Sequence, residues 1–245
     1  MKKLGLLGKN ISYSFSRNYF AEKFKKDGIT NDFCYDNFDI QSINEFPEVL
    51  KNNPDLIGMN VTIPYKQDVV PFLDDLSDNA KEIGAVNTIK VSPEGKLIGH
   101  NTDYFGFTES LKPLLKSNHK KALILGTGGA AKAIAYGLNQ LGIHFQYVSR
   151  KEAFGMITYN DLNSDTFDEY HIIVNCSPLG TFPNIENCPD IPYQYFTSKH
   201  IAYDLIYNPE KTTFLGKAEI QGATIKNGYE MLVLQAEKAW EIWNS

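Results

Sequence analysis

The sequence predicts an α/β protein of two units, the second built on a parallel sheet with helices on both faces. Three observations lead there. Through the first hundred residues short apolar runs alternate with helix-period segments in a βαβαβ rhythm. Further on, the continuous apolar run Ala122-Leu123-Ile124-Leu125, of the kind a strand covered on both faces requires, leads directly into a glycine-rich turn. The length, 245 residues, gives room for two modest domains at roughly 100–200 residues each.

Taken in order, Lys3 to Leu7 reads as a strand, Arg17 to Lys26 as a helix, Phe33 to Phe38 as a strand, Ile43 to Lys51 as a helix and Leu56 to Ile63 as a strand. Val70 to Ile83 reads as one or two short helices broken at Pro71 and Asp74-Asp75. Ala85 to Val91 and Lys96 to Gly99 form a strand pair turning at Pro93-Glu94-Gly95. The second unit opens with a helix from Tyr104 to Lys116, a polar break at Ser117 to Lys120, and the strand Ala122 to Leu125. Later strands fall at His144 to Val148, His171 to Asn175 and Ile201 to Tyr207, and a long helix runs from Tyr229 to Trp243.

Composition narrows the function. With 42% hydrophobic and 22% charged residues the chain is an ordinary globular one. A net charge of -5 and the absence of a dense Lys/Arg run argue against a nucleic-acid partner. Met1 to Gly8 begins like a signal peptide, but Lys9 and Asn10 end the apolar stretch and no small-residue cleavage site follows. No run of about 18 apolar residues could span a bilayer, so a cytoplasmic protein without membrane contact is expected. Cys34, Cys176 and Cys188 are odd in number and form no CxxC pair, which suits reduced thiols. The scattered His100, His119, His144, His171 and His200 match no zinc spacing, so no metal site is expected.

The chemistry begins at Leu125-Gly126-Thr127-Gly128-Gly129-Ala130-Ala131, which follows a strand, opens a helix through Ala133, Ala135 and Leu138, and satisfies G-x-G-x-x-G/A. Gly126 permits the tight turn, Gly128 lets the backbone approach a pyrophosphate, and Ala131 keeps helix and strand close. The helix N-terminus offers free N–H groups to the phosphates. This is a Rossmann-type dinucleotide site, with Gly126, Thr127, Gly128, Gly129 and Ala130 as its cofactor-binding turn. About 20 residues past the first glycine an NAD-binding protein places an acid for the ribose hydroxyl. Ser149-Arg150-Lys151 stands there instead. A hydroxyl and cations suit a 2′-phosphate, so NADP(H) is the expected cofactor.

In the first half, polar groups gather at predicted strand ends: Ser14 and Ser16, then Asn60, Thr62 and Lys66, then Asn87, Thr102 and Asp103. Such a set suits a small polyhydroxylated acid. Singly, Ser14 and Ser16 also suit helix N-caps, Asn87 a turn, and Lys66 an exposed lysine beside Pro64, and the residues alone leave these readings even.

Longer motifs separate them. Ser14-Phe15-Ser16, Asn60-Val61-Thr62-Ile63-Pro64-Tyr65-Lys66, Gly84-Ala85-Val86-Asn87-Thr88, Gly99-His100-Asn101-Thr102-Asp103, Gly126 to Ala131, Tyr203-Asp204-Leu205-Ile206-Tyr207-Asn208-Pro209, and Asn227-Gly228 with Met231 to Ala236 follow one another along nearly the whole chain. In this order they resemble the shikimate dehydrogenase family; the Asn60 and Gly84 blocks are the specific ones.

The resemblance implies a substrate-binding catalytic domain from residues 1–103 and 228–245, with a Rossmann NADP-binding domain, 104–227, between them and the C-terminal helix returning to the first. It implies reversible NADPH-dependent reduction of 3-dehydroshikimate to shikimate in chorismate and aromatic amino acid biosynthesis, by a monomer or homodimer. By carry-over, Ser14 and Ser16 bind the substrate carboxylate, and Asn60, Thr62, Asn87, Thr102, Tyr207 and Gln235 surround the ring. Lys66 and Asp103 form the catalytic pair. Hydride arriving at a ketone builds negative charge on oxygen; an ammonium stabilises it and donates a proton, and a nearby carboxylate keeps that ammonium charged.

The chain departs from the family pattern at Tyr13-Ser14-Phe15-Ser16-Arg17, where His-Ser-x-Ser-Pro is usual, at Tyr104, where glycine is common, and at Tyr229-Glu230, where Leu-Gly is usual. The alternatives are a quinate/shikimate dehydrogenase of broader substrate and cofactor range and a non-catalytic NADP-binding regulator on the same fold. A lost Lys or Asp would favour the regulator, and both are present. A folate dehydrogenase of the same fold sits badly with the paired serines.

Overall fold

In the computed structural model, which describes residues 1–12 and 15–245, the chain forms two units: Met1–Thr102 with Ala236–Ser245, and Asp103–Gln235.

The first unit begins with β1 (Lys2–Gly8), whose Leu4, Leu6 and Leu7 are buried. Helix α1 (Phe15–Lys26) buries Ser16, Phe20 and Phe24, spaced four apart on one face, and ends in Lys23, Lys25 and Lys26, which suit the negative end of its dipole. β2 (Phe33–Asp39) follows. The expected helix at 43–51 is a short 3-10 turn, Ile43–Glu45, capped by Ser42, running into α2 (Phe46–Asn52) with Pro47 in its first turn. β3 (Leu56–Val61) stops two residues earlier than the apolar pattern suggested, because the chain turns ahead of Pro64. Two-residue β4 (Asp75–Leu76), α3 (Asp78–Ile83), β5 (Thr88–Val91) and β6 (Leu97–His100) complete a sheet of order β2-β1-β3-β5-β6-β4. β1 pairs with β2 and β3 in parallel, while β3, β5 and β6 run antiparallel to their neighbours in turn. The β5–β6 hairpin closes with Gly95 at φ +81°, a left-handed position that costs glycine nothing.

Residues 236–245 cover this sheet with aromatic rings. Trp243 lies over β3, where an added Cβ on Gly58 would stand 2.3 Å from the indole, and its Nε1 donates to the Ile89 carbonyl at 2.9 Å. Phe20 stacks on Tyr35 at 4.7 Å between ring centroids and Phe24 meets Trp240 at 5.6 Å.

The second unit opens with α4 (Asp103–Leu111), five residues shorter than the pattern to Lys116, because Pro113 forces the 3-10 turn Lys112–Leu114. Then come β7 (Lys121–Leu125), α5 (Gly129–Gln140), β8 (His144–Ser149), β9 (Met156–Thr158), α6 (Ser164–Glu169), β10 (Ile172–Asn175), β11 (Ile201–Asp204), α7 (Thr213–Ile220), β12 (Thr224–Lys226) and α8 (Tyr229–Asn244). The sheet is all parallel, in the order β12-β11-β10-β7-β8-β9. With its strands numbered outward from β7, this is the doubly wound Rossmann arrangement, in which the chain fills one half of the sheet and then crosses back to fill the other.

Strand periodicity sorts the core into two faces. Ala122, Ile124, Ile172, Val174, Ile201 and Tyr203 pack with Phe107, Ile134 and Leu138 of α4 and α5. Leu123, Leu125, Ile173 and Ala202 pack with Phe167, Phe214, Leu215 and Ala218 of α6 and α7. Burial on both faces explains why these strands read as continuous apolar runs. Helix α8 is shared between the units. Its Met231 belongs to the second core, and Gly106 lies so close that an added Cβ would stand 2.4 Å from the Met231 carbonyl oxygen. The first unit takes up again at Ala236, inside the helix.

Candidate active site

In the first unit β3, β5 and the segment after β6 bring their polar side chains to one buried place. Asn60, Asn87, Thr88 and Thr102 are each at most 4% exposed. The Asn60 amide nitrogen donates to the Asn87 carbonyl at 3.3 Å and to Thr88 Oγ1 at 3.2 Å. Asn87 Nδ2 donates to Thr102 Oγ1 at 2.9 Å, and the Thr102 N–H returns a 2.7 Å bond to Asn87 Oδ1. Asn101 anchors the segment by donating to the Ala85 carbonyl at 2.9 Å. Tyr35 of β2 donates to Asn60 Oδ1 at 2.8 Å. Buried polar groups stay in a core only when their bonds are made, and here they make them with one another.

Thr62 and Lys66 lie just beyond β3, both half-buried. The Thr62 N–H bonds the Leu7 carbonyl at 2.9 Å, its methyl packs over Gly8, and the Lys66 carbonyl accepts from the Val86 N–H at 2.7 Å. Lys66 is thus positioned through its backbone by the Gly84-to-Thr88 block. Ser14 lies outside the described residues. Asp103 directly follows Thr102 and is the buried first residue of α4, in the second unit.

The second unit supplies a phosphate cradle. Ladder register sets Leu125 beside Val148 and Asn175, and Asn175 beside Asp204, so four loops leave the sheet along one edge. The sheet's strand order reverses beside β7, and such sheets bind ligands beyond the carboxyl ends at that point. Gly126, at φ +115°, turns tightly over the Cys176 carbonyl, and its N–H bonds the Val148 carbonyl at 3.1 Å, tying the glycine turn to the end of β8. Gly128 caps α5 without a side chain; an added Cβ there would meet nothing within 4 Å, and the first turn of α5 holds no acid. That open, donor-lined end suits a pyrophosphate. Thr127, Gly129 and Ala130 complete the turn. Ser149 ends β8 half-buried, with Arg150 and Lys151 exposed beyond it and no carboxylate among them. The residues present therefore fit a dinucleotide carrying a 2′-phosphate. Tyr207 is half-buried after β11, its phenol pushed up by burial, and Gln235 of α8 is buried with its amide donating to the Leu232 carbonyl at 2.8 Å. Of the residues that depart from the family pattern, Tyr104 packs edge-on against Tyr136 at 4.9 Å, and Glu230 is ion-paired with Lys226, four residues before it.

Three groups escape the sequence reading. Tyr35 and Thr88 complete the first unit's network; Thr88 lies within a quoted motif, whereas a tyrosine in a strand carries no signal distinguishing it from core. The third is Asp204, fully buried at the end of β11. Its carboxylate accepts from Thr212 Oγ1 at 2.6 Å, the Ile206 N–H at 3.1 Å and Asn175 Nδ2 at 3.0 Å. Asn175 Oδ1 in turn accepts the Ser177 hydroxyl at 2.7 Å, so one carboxylate fixes the loops after β10 and β11. Burial outweighs those bonds and pushes Asp204 up to about 6. Because the folded pKa exceeds the unfolded one, this group's contribution to stability is fully present below about pH 4 and lost as pH rises through 6. Asp204→Asn removes that dependence. The stability gap between wild type and variant should change by as much as about 3 kcal/mol between pH 4 and 7 in denaturant titrations, narrowing toward neutrality. A constant gap would show that Asp204 does not titrate in this range.

Among the described residues no group of three or more His, Cys, Asp or Glu is placed to hold a metal.

A molecule so equipped belongs to the dinucleotide-dependent dehydrogenases, and known proteins narrow the class. The model of the shikimate dehydrogenase substrate binding domain matches residues 6–89. The shikimate dehydrogenase (NADP(+)) of Caldicellulosiruptor saccharolyticus is 38% identical over 260 residues, spanning 99% of this chain and 92% of that protein. The shikimate 5-dehydrogenase of Thermus thermophilus, solved in complex with NADP(H) and shikimate, matches with a TM-score of 0.86 at 30% identity, over 99% of this chain and 93% of its own. The ligand-free 5-ketofructose reductase of a Gluconobacter strain matches with a TM-score of 0.84 at 30% identity, over 99% of this chain and 92% of its own. The chain belongs to the shikimate dehydrogenase family and is an oxidoreductase.

Proposed function

We propose that this protein catalyses the reversible NADPH-dependent reduction of 3-dehydroshikimate to shikimate, a step toward chorismate and the aromatic amino acids. Since the same fold serves a 5-ketofructose reductase, the substrate is argued from the residues. The observation that carries it is the buried array of Asn60, Asn87 and Thr102, bonded to one another and to Tyr35, with Ser16 buried at the start of α1. Amides and hydroxyls recognise ring hydroxyls by donating and accepting together, and serine hydroxyls recognise a carboxylate by donating. Ser14, Thr62, Tyr207 and Gln235 complete the substrate-binding set.

NADP(H) supplies or accepts the hydride when bound, held by Gly126 to Ala130 at the pyrophosphate and by Ser149, Arg150 and Lys151 at the 2′-phosphate. Lys66 donates a proton to the ketone oxygen as charge develops there. Asp103 is the other member of the catalytic pair and takes a substrate hydroxyl. In the reverse direction the same lysine, neutral, receives the proton. The protein acts in the cytoplasm on small molecules, as a monomer or homodimer, without nucleic-acid or membrane partners. Three free cysteines suit that placement, and among the described residues no helix is long and apolar enough to cross a membrane.

The test is an absorbance assay of nicotinamide reduction with shikimate or quinate and NADP or NAD in all four combinations. Fast turnover of shikimate with NADP alone is the expected result. Comparable rates with quinate or NAD would make the protein the broader quinate/shikimate enzyme, and no turnover in any combination would make it a regulator.

A further inference from the structure

The chemistry proposed above leaves one buried ionisable group without a task. Asp204 is fully buried, and every hydrogen bond it makes is to a neutral donor. Its two oxygens do different things. Oδ2 takes the hydroxyl of Thr212, which in turn caps α7 by accepting the Leu215 N–H at 3.3 Å. Oδ1 takes the Ile206 N–H and the Asn175 amide together. The orientation of Asn175 is fixed, because its own oxygen receives the Ser177 N–H at 3.0 Å and the Ser177 hydroxyl at 2.7 Å. That leaves its nitrogen for Asp204 and, at 3.4 Å, for the Leu179 carbonyl. Burying a carboxylate among neutral donors costs stability, so stability alone accounts poorly for an acid at this position.

The segments tied to Oδ1 lie at the edge where the cofactor turn sits. The loop after β10 begins at Asn175, and Gly126 turns over the Cys176 carbonyl so closely that an added Cβ would stand 3.4 Å from it. In the loop after β11, the Ile206 carbonyl receives the Gly228 N–H at 3.0 Å, one residue before α8, and an added Cβ on Gly228 would stand 2.1 Å from the Leu205 carbonyl oxygen. A single acceptor atom therefore holds the support beneath the glycine turn, the loop after β11 and the approach to α8. In a sheet of this order the ligand lies beyond these strand ends.

We propose that Asp204 is a positioning residue for the dinucleotide: by holding the loops after β10 and β11 together through Oδ1, it presents NADP(H) with a preformed edge beside the glycine turn. This rests on the cofactor site proposed above and adds to it a residue that, being fully buried, acts only through others.

The experiment titrates NADPH into wild type and variants and follows its fluorescence, which reads affinity without turnover. Asp204→Ala removes the acceptor, and the Kd should rise about tenfold, the worth of one hydrogen bond to a charged group. Asp204→Asn should restore it to within about threefold, since the new oxygen still takes Ile206 and Asn175 while the new nitrogen donates to Thr212 Oγ1. Thr212→Val cuts only the Oδ2 bond and the helix cap, so it should lower the urea midpoint and leave the NADPH Kd within about twofold. For a merely structural carboxylate, affinity would instead follow stability through all the variants. An unchanged Kd in Asp204→Ala, or an equal loss in Thr212→Val, would overturn the positioning role alone. Wild-type protein that binds no NADPH would remove the cofactor site on which the role rests. Should Asp204→Ala fail to fold, Asn175→Ala decides the matter: it cuts the link to the β10 loop while Thr212 and Ile206 still satisfy the carboxylate, and an unchanged Kd there overturns the proposal.

Discussion

Lys66→Ala is expected to lower kcat for 3-dehydroshikimate reduction by roughly 10²–10⁴, the contribution of a positioned general acid, while leaving thermal unfolding close to that of wild type. The fold should survive because Lys66 is held by its main chain, its carbonyl accepting the Val86 N–H at 2.7 Å, and its side chain is only half-buried. Lys66→Arg should not rescue the rate, since a guanidinium keeps its proton at any working pH. Steady-state kinetics paired with a circular-dichroism melt checks both halves. A variant within about threefold of wild-type kcat would transfer the proton to another group.

Arg150→Gln is expected to raise KM for NADP by about tenfold, the loss of one charge-assisted bond at an exposed site, while KM for NAD stays within about twofold. Exposure sets the lower end of the range, because solvent screens the guanidinium before the cofactor arrives. Its charge opposes the larger upward push of burial on the Tyr159 phenol. Equal losses for both cofactors would mean that Arg150 contributes general attraction and does not read the phosphate.

These two positions differ in how openly the sequence displays them. Gly126 to Ala131 can be recognised from the chain alone because strand, turn and helix each carry an independent local signal, and the structure places them in that succession. Asn60, Asn87 and Thr102 are ambiguous as letters, since each suits a turn as well as a site; long-range pairing of β3, β5 and β6 is what brings them together. Tyr35 is invisible for a related reason, and Asp204, although it stands in the Tyr203-to-Pro209 motif, shows no role there. Their roles rest on bonds to residues 25 and 8 positions away, beyond the elements that carry them. Strands β9 and β12, three residues each at opposite edges of the sheet, escape notice because an edge so short holds no period to read.

The shared last helix also governs how the molecule is born. A ribosome adding about 5–20 residues per second finishes Thr102 and then needs roughly seven to thirty seconds before Ala236–Ser245, which complete the same unit, exist at all. Through that interval Phe20, Phe24 and Phe33 lack Trp240 and Trp243, the rings that cover them in the finished protein. The intervening residues 103–235 carry both faces of their own core. Synthesis therefore imposes a sequence of events opposite to chain order: the unit begun first is the last to close.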